Sequence, residues 1–266
     1  MPRAHRHYLP GHVWHITHRC HKKEFLLKFA KDRDCWLDWL LEAKQRYETC
    51  IFNYMVTSNH VHLLLLDNGG RDVIPRTLQL IAGRTGQEYN QRKSRQGAFW
   101  EDRYHATAVQ SDEHLMRCLI YIDLNMVRAG AVAHPSEWPW SGYNEIQTPK
   151  QRYALINRTK LMALLGIYDD TALSEHHRQW ISDALEKDSR QRESRWTESV
   201  AVGSKTFIEQ TKEQLGFRTK GRKIEENDEV YTLRETGRGY DCAGKNSTLS
   251  PENGYFWDDM YLISSS

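Results

Sequence analysis

The 266-residue chain has no apolar run near the ~18 residues needed to cross a bilayer, which excludes a helical membrane anchor and points to a soluble protein. Its opening, MPRAHRHYLPGHVW, lacks the apolar core of a signal peptide. Cysteine is scarce. The five present, at positions 20, 35, 50, 118 and 242, are an odd number, widely spaced and without a Cys-x-x-Cys, which argues against both a disulfide framework and a zinc knuckle. A reducing, cytoplasmic protein is expected. There is no internal repeat, and net charge is small at +2.

That small net charge conceals an uneven distribution. Residues 1–150 carry 20 Lys/Arg against 16 Asp/Glu, residues 151–224 carry 14 against 10, and residues 225–266 carry 3 against 9. Two basic parts before an acidic tail suit a phosphate-rich partner, as well as ordinary solvated surface. Nine Trp and thirteen Tyr, many beside Arg or Lys, suit base stacking as well as packing.

The first 150 residues parse as strand (GHVWHITHRC), helix (KDRDCWLDWLLEAKQRY), strand (TCIFNYMV), strand (HVHLLLL), helix (VIPRTLQLIAGRTGQEYNQR) and strand (GAFWEDRYHATAV). This order predicts an α+β fold: a ferredoxin-like antiparallel sheet with both helices on one face and the other face free. A further helix is expected over SDEHLMRCLIYIDLNMVRAG, N-capped by Ser111 and stopped by Gly130. Residues 146–224 read as a helical extension, with one helix capped by Ser174 and another by Ser204, either DNA-binding or packed on the first domain; residues 225–266 read as an acidic, flexible tail.

Two histidines open the most apolar strand. Alternation puts His60 and His62 on one face and Val61, Leu63 and Leu65 on the other. Two imidazoles pointing the same way suit a pair of metal ligands and equally a half-buried strand with no function. On the helix over residues 111–130, Leu115, Leu119, Ile122 and Met126 make an apolar stripe, while His114, Arg117, Tyr121, Asn125 and Arg128 share a polar band. Asn125 lies one turn after Tyr121, and its amide oxygen suits a third ligand if this helix crosses the free face of the sheet. A tyrosine attacking a DNA phosphate needs its phenol activated, the phosphate charge offset and the leaving oxygen stabilised, and a divalent metal serves the last two. His12, His15, His18 and His21 recur every third residue, so on a strand they divide between two faces; they read as coincidence or as DNA-contacting surface.

These residues resemble a known family. NHVHLL is similar to the His-hydrophobe-His signature of the HUH nucleases, YIDLNMVRAG to the segment carrying the nucleophile in their single-tyrosine transposases, and GAFWEDRYHA to a strand of the same group. In this order the three motifs identify residues 8–145 as similar to the REP-associated tyrosine transposases, with Met126 standing where that family usually has proline. The resemblance implies a catalytic domain over residues 1–145, a metal site for Mg²⁺ or Mn²⁺ at His60, His62 and Asn125, and Tyr121 as nucleophile. It implies cleavage of single-stranded DNA beside a hairpin through a 5′-phosphotyrosine; a nucleoid-associated protein is expected, with monomer and homodimer both left open. Arg103, Arg117, Arg128, His105, Lys22 and Arg95 are the candidate DNA contacts. The alternative from another class is a non-cleaving regulator that keeps the fold and the hairpin recognition.

Overall fold

The computed structural model describes residues 9–70, 72–187, 192–219, 221–227 and 230–235. Seven strands, β1 (Val13–Arg19), β2 (Cys50–Val56), β3 (His60–Leu66), β4 (His105–Val109), β5 (Ser199–Gly203), β6 (Arg222–Asn227) and β7 (Val230–Glu235), form one sheet in the order β2-β3-β1-β4-β5-β7-β6. The helices are α1 (Ala30–Tyr47), α2 (Val73–Arg92), α3 (Glu113–Asp123), α4 (Asn125–Arg128), α5 (Tyr143–Gln147), α6 (Arg158–Leu165), α7 (Asp170–Glu186), α8 (Arg195–Glu198) and α9 (Lys205–Leu215).

The first four strands and first two helices reproduce the expected ferredoxin-like unit, with β3 antiparallel to both β1 and β2 and β1 antiparallel to β4. Val61, Leu63 and Leu65 are at most 3% exposed, and burying each such side chain stabilises the fold by roughly 1.5–3 kcal/mol. On this side His18 of β1 stacks on Trp100, whose indole N–H donates to the carbonyl of Ala82 in α2. Helix α1 packs on α2, so both helices cover the face that bears His18. The opposite face carries His15, Thr17 and Arg19 of β1 together with His60 and His62 of β3.

Helix α3 lies across that opposite face. A register shift between Ile51 and Asn53 turns Asn53 toward it, and the Asn53 amide donates to Asp123 of α3 at 2.9 Å. The Trp/Pro-rich loop docks against the same strand through Gly142, where a side chain would collide with the Asn53 amide.

Several elements differ from the sequence expectation. The helix expected over residues 111–130 starts at Glu113 after Asp112, whose φ is +68°, so Ser111 caps nothing; it bends at Leu124, where ψ is 3°. Its hydrogen-bond ladder nevertheless runs on from Leu124 to Ile120 and from Arg128 to Leu124, so the face is kept. Helix α7 is capped by Asp169, which accepts from the Ala172 N–H at 2.9 Å, while Ser174 sits inside it. Ser204 caps α9 as expected. Only residues 105–109 of the fourth expected strand pair continuously; Trp100 makes an isolated bridge to Cys20.

The larger departure is in the extension, which is not helical throughout. β5 pairs parallel with the outer edge of β4, and the β6–β7 hairpin continues the sheet. An unpaired β4 edge would leave a row of backbone donors and acceptors exposed, and β5 satisfies it. The hairpin falls partly in the stretch read as flexible tail; residues 228–229 and 236–266 of that tail lie outside the described residues.

Candidate active site

Three imidazoles and a phenol meet between the sheet and α3. The rings of His60 and His62 stand 4.9 Å apart between centroids, and the Tyr121 ring makes edge contacts with His62 and His15, each at 6.0 Å. The Asn125 amide nitrogen lies 3.0 Å from His62 Nε2. Tyr121 is 4% exposed and His62 1%, so the site is largely closed.

Hydrogen bonding defines which ring nitrogens are bare. His60 Nδ1 is 2.7 Å from Asn59 Oδ1, an acceptor, so Nδ1 carries the proton and Nε2 presents a lone pair. His62 Nδ1 is 2.9 Å from His15 Nε2, and His15 Nδ1 is 2.9 Å from the carbonyl oxygen of Trp196. His15 is a fully buried member of the cluster, which corrects its reading as coincidence or as DNA-contacting surface.

Burial holds these rings neutral. It lowers His60 to about 3, with the charges of Arg19, Arg192 and Arg128 adding to the effect, and it lowers His15 to about 3 against the opposing pull of the Trp196 carbonyl. His62 is lowered well below the usual imidazole range by burial, then by its neighbouring rings. Burial raises the Tyr121 phenol, opposed by Arg128 and Arg192. Arg128 lies 4.3 Å over the Tyr121 ring and donates to its carbonyl.

The donor set suits a divalent cation. Two neutral imidazoles with bare Nε2 atoms and one carboxamide suit Mn²⁺ well and Mg²⁺ if water or phosphate oxygens complete the shell. The Asn125 amide nitrogen donates to His62 Nε2 at 3.0 Å, and turning the amide over puts its oxygen, the atom able to bind a cation, in that place. Across the strand from His62, Thr17 Oγ1 is buried without a hydrogen-bond partner. The residues fit the ion. Among the described residues no three His, Cys, Asp or Glu side chains form a metal cluster, and His15 is engaged with His62 rather than open as a ligand.

The remaining candidates are scattered. Arg117 is exposed, paired with Glu113, and lines a groove of about 370 Å³ that opens beside Tyr121 between α3 and α7, bounded also by Ile120, Leu124, Trp180 and Arg195. His105 Nε2 donates to the Ser199 carbonyl at 2.9 Å and is spent within the fold. Arg103 is exposed on the irregular segment before β4. Arg95 bonds Asn90 and the Ala98 carbonyl and reaches Glu24, whose loop also carries exposed Lys22; the adjacent Lys23 carbonyl accepts from Asn59, next to His60. Sequence reasoning missed Arg19 and Arg192, whose charges reach His60, and Trp196, whose ring lies 6.2 Å from that of Tyr121.

Residues 10–125 match the IS200-like transposase family. The IS200-like segment holds His15, His60, His62 and Tyr121 and ends at Asn125; Arg128 and all of the extension lie beyond it. A solved structure of a REP-associated tyrosine transposase bound to a REP hairpin aligns with a TM-score of 0.46 and 18% identity, over 64% of this chain and 90% of that one. No curated protein matches the chain. No helix among the described residues is long and apolar enough to cross a membrane.

Proposed function

We propose that the protein is a metal-dependent transposase-type endonuclease and strand transferase acting on single-stranded DNA at hairpins, with Tyr121 as nucleophile. The observation that carries this reading is the convergence, on one face of the IS200-like segment, of the His60 and His62 imidazoles, the Asn125 amide and the Tyr121 ring.

His60, His62 and Asn125 would hold Mg²⁺ or Mn²⁺. When bound, the ion supplies Lewis acidity at the scissile phosphate and offsets its charge. Tyr121 Oη forms a bond to phosphorus as its proton leaves to solvent, the bond from phosphorus to the 3′ oxygen breaks, and that oxygen departs as a 3′-hydroxyl after taking a proton. The 5′-phosphotyrosine keeps the energy of the phosphodiester, so a 3′-hydroxyl can later attack it and release the phenol without ATP. Arg128 over the Tyr121 ring favours the phenolate. The groove beside Tyr121 offers Trp180 for stacking an unpaired base, with Arg117 and Arg195 for its phosphates.

A non-cleaving hairpin-binding protein is the second reading, favoured by the 4% exposure of Tyr121, which requires the site to open before a phosphate reaches it. Denaturing electrophoresis with labelled single-stranded hairpins separates the two. The expected outcome is a slow-migrating covalent adduct that requires Mn²⁺ or Mg²⁺ and vanishes in Tyr121→Phe and His60→Ala. Tight hairpin binding with no adduct under any metal would establish the binder instead.

A further inference from the structure

The C-terminal extension reaches the candidate metal site through a chain of directed hydrogen bonds. A carbonyl oxygen only accepts, so the 2.9 Å contact between Trp196 O and His15 Nδ1 places the proton of a neutral His15 on Nδ1 and leaves Nε2 bare. The 2.9 Å contact between His15 Nε2 and His62 Nδ1 then requires the proton of His62 on Nδ1. The two rings lie within 8° of parallel with centroids 5.1 Å apart, the separation of an end-on contact between ring nitrogens 2.9 Å apart, so the contact runs close to the ring planes. His62 Nε2 is therefore bare and faces Asn125. The other tautomer of His62 would put two bare nitrogens against each other and point an N–H at the Asn125 amide nitrogen, itself a donor.

We propose that His15 is a positioning residue that fixes the ring orientation and tautomer of His62, and that the Trp196 carbonyl in α8 sets His15, making the extension part of the site's outer shell. His60 needs no such help from the extension, because Asn59 and Thr57, its own neighbours in the chain, fix its Nδ1 proton. The asymmetry has a physical cause: His60 opens β3 beside the polar turn, whereas His62 sits in the sheet interior, where its Nδ1 meets a side chain of the next strand. Trp196 is itself held, its side chain 1% exposed, and the Thr107 hydroxyl ties β4 to the Ser199 carbonyl just beyond it. The importance of this device for metal binding rests on the reading of His62 as a ligand; the tautomer does not.

The test is long-range ring ¹⁵N–¹H correlation NMR of the metal-free full chain, alongside titration with Mn²⁺ followed by electron paramagnetic resonance. In the wild type, His15 and His62 are both expected as Nδ1–H tautomers. His15→Gln keeps a donor for Trp196 and an acceptor for His62 and retains the Nδ1–H form and Mn²⁺ affinity. His15→Phe fills the space without either group, moves His62 toward the Nε2–H form and weakens Mn²⁺ binding by roughly 10–100-fold. An Nε2–H His62 in the wild type overturns the proposal even if no variant folds, as does an unchanged tautomer in a folded His15→Phe. Unchanged Mn²⁺ affinity in His15→Phe overturns the positioning role while the metal reading survives. Absence of Mn²⁺ binding by the wild type itself removes the metal reading and the role together.

Discussion

At the scale of single residues the site sets two opposing effects on Tyr121. Burial disfavours the phenolate, and Arg128 across the ring face favours it, with Arg192 adding charge from the extension. Arg128→Met should therefore leave the phenol higher and slow adduct formation by about 10²–10³-fold, the range seen when one preorganised charge-stabilising donor is lost. The pH at which cleavage reaches its plateau should move upward. Rate measurements across pH at saturating hairpin check this; an unchanged profile with weaker hairpin binding would mean that Arg128 only holds DNA. His60, His62, Tyr121 and Asn125 were legible because each pair follows a period of one element, two residues on a strand and four on a helix. His15 was not. It meets His62 diagonally across two strands, and such a pair becomes visible only once the register Thr17 to His62 is known. The recurrence of histidine every third residue pointed away from it, because that spacing matches no face of a strand.

Between elements, the link that holds α3 over the sheet is polar. Asp123 accepts from the Asn53 amide of β2 at 2.9 Å and from His177 Nε2 of α7 at 2.8 Å, and Gln147 of α5 completes the chain by donating to His177 Nδ1 at 2.8 Å. Asp123 and His177 are each 0% exposed, and Asp123 lies between Tyr121 and Asn125 in the chain, so this link also sets where those two side chains fall. Removing His177 leaves a buried carboxylate short of a donor, which costs about 1–3 kcal/mol. His177→Ala should accordingly lower the stability in urea by that amount, and a loss below about 1 kcal/mol would show that solvent reaches Asp123 once the ring is gone. The ferredoxin-like order was readable because its helices and strands are long and strongly periodic. The strands of the extension were hidden for different reasons. SVAVG is too short to show a period between two helices, and VYTLRE, which alternates cleanly, sits among the acidic residues that suggested a loose tail.

For the molecule as a whole, the closed site ties stability to pH. His15, His60 and His62 are neutral in the fold, with His15 and His60 lowered to about 3, whereas in the unfolded chain they take up protons near 6.5. Below 6.5 the unfolded state thus binds protons that the folded state refuses, so stability falls as pH drops from 6.5 toward 3 and is flat above 6.5 with respect to these groups. Carboxylates titrate mainly below about 5, which leaves pH 6.5 to 5 as a window dominated by histidine. Each proton of difference contributes about 1.4 kcal/mol per pH unit, so two to three would remove roughly 3–6 kcal/mol across that window, a large share of the ~5–15 kcal/mol of an ordinary fold. The urea midpoint of the metal-free protein should hold steady from pH 8.5 to 7 and fall steeply from 6.5 to 5. His15→Gln should reduce that slope by about one proton's worth, since it removes one of the three rings and keeps the contacts. A midpoint that stays level down to pH 5 would mean that the imidazoles protonate in place, and hence that water enters the space between the sheet and α3 without unfolding.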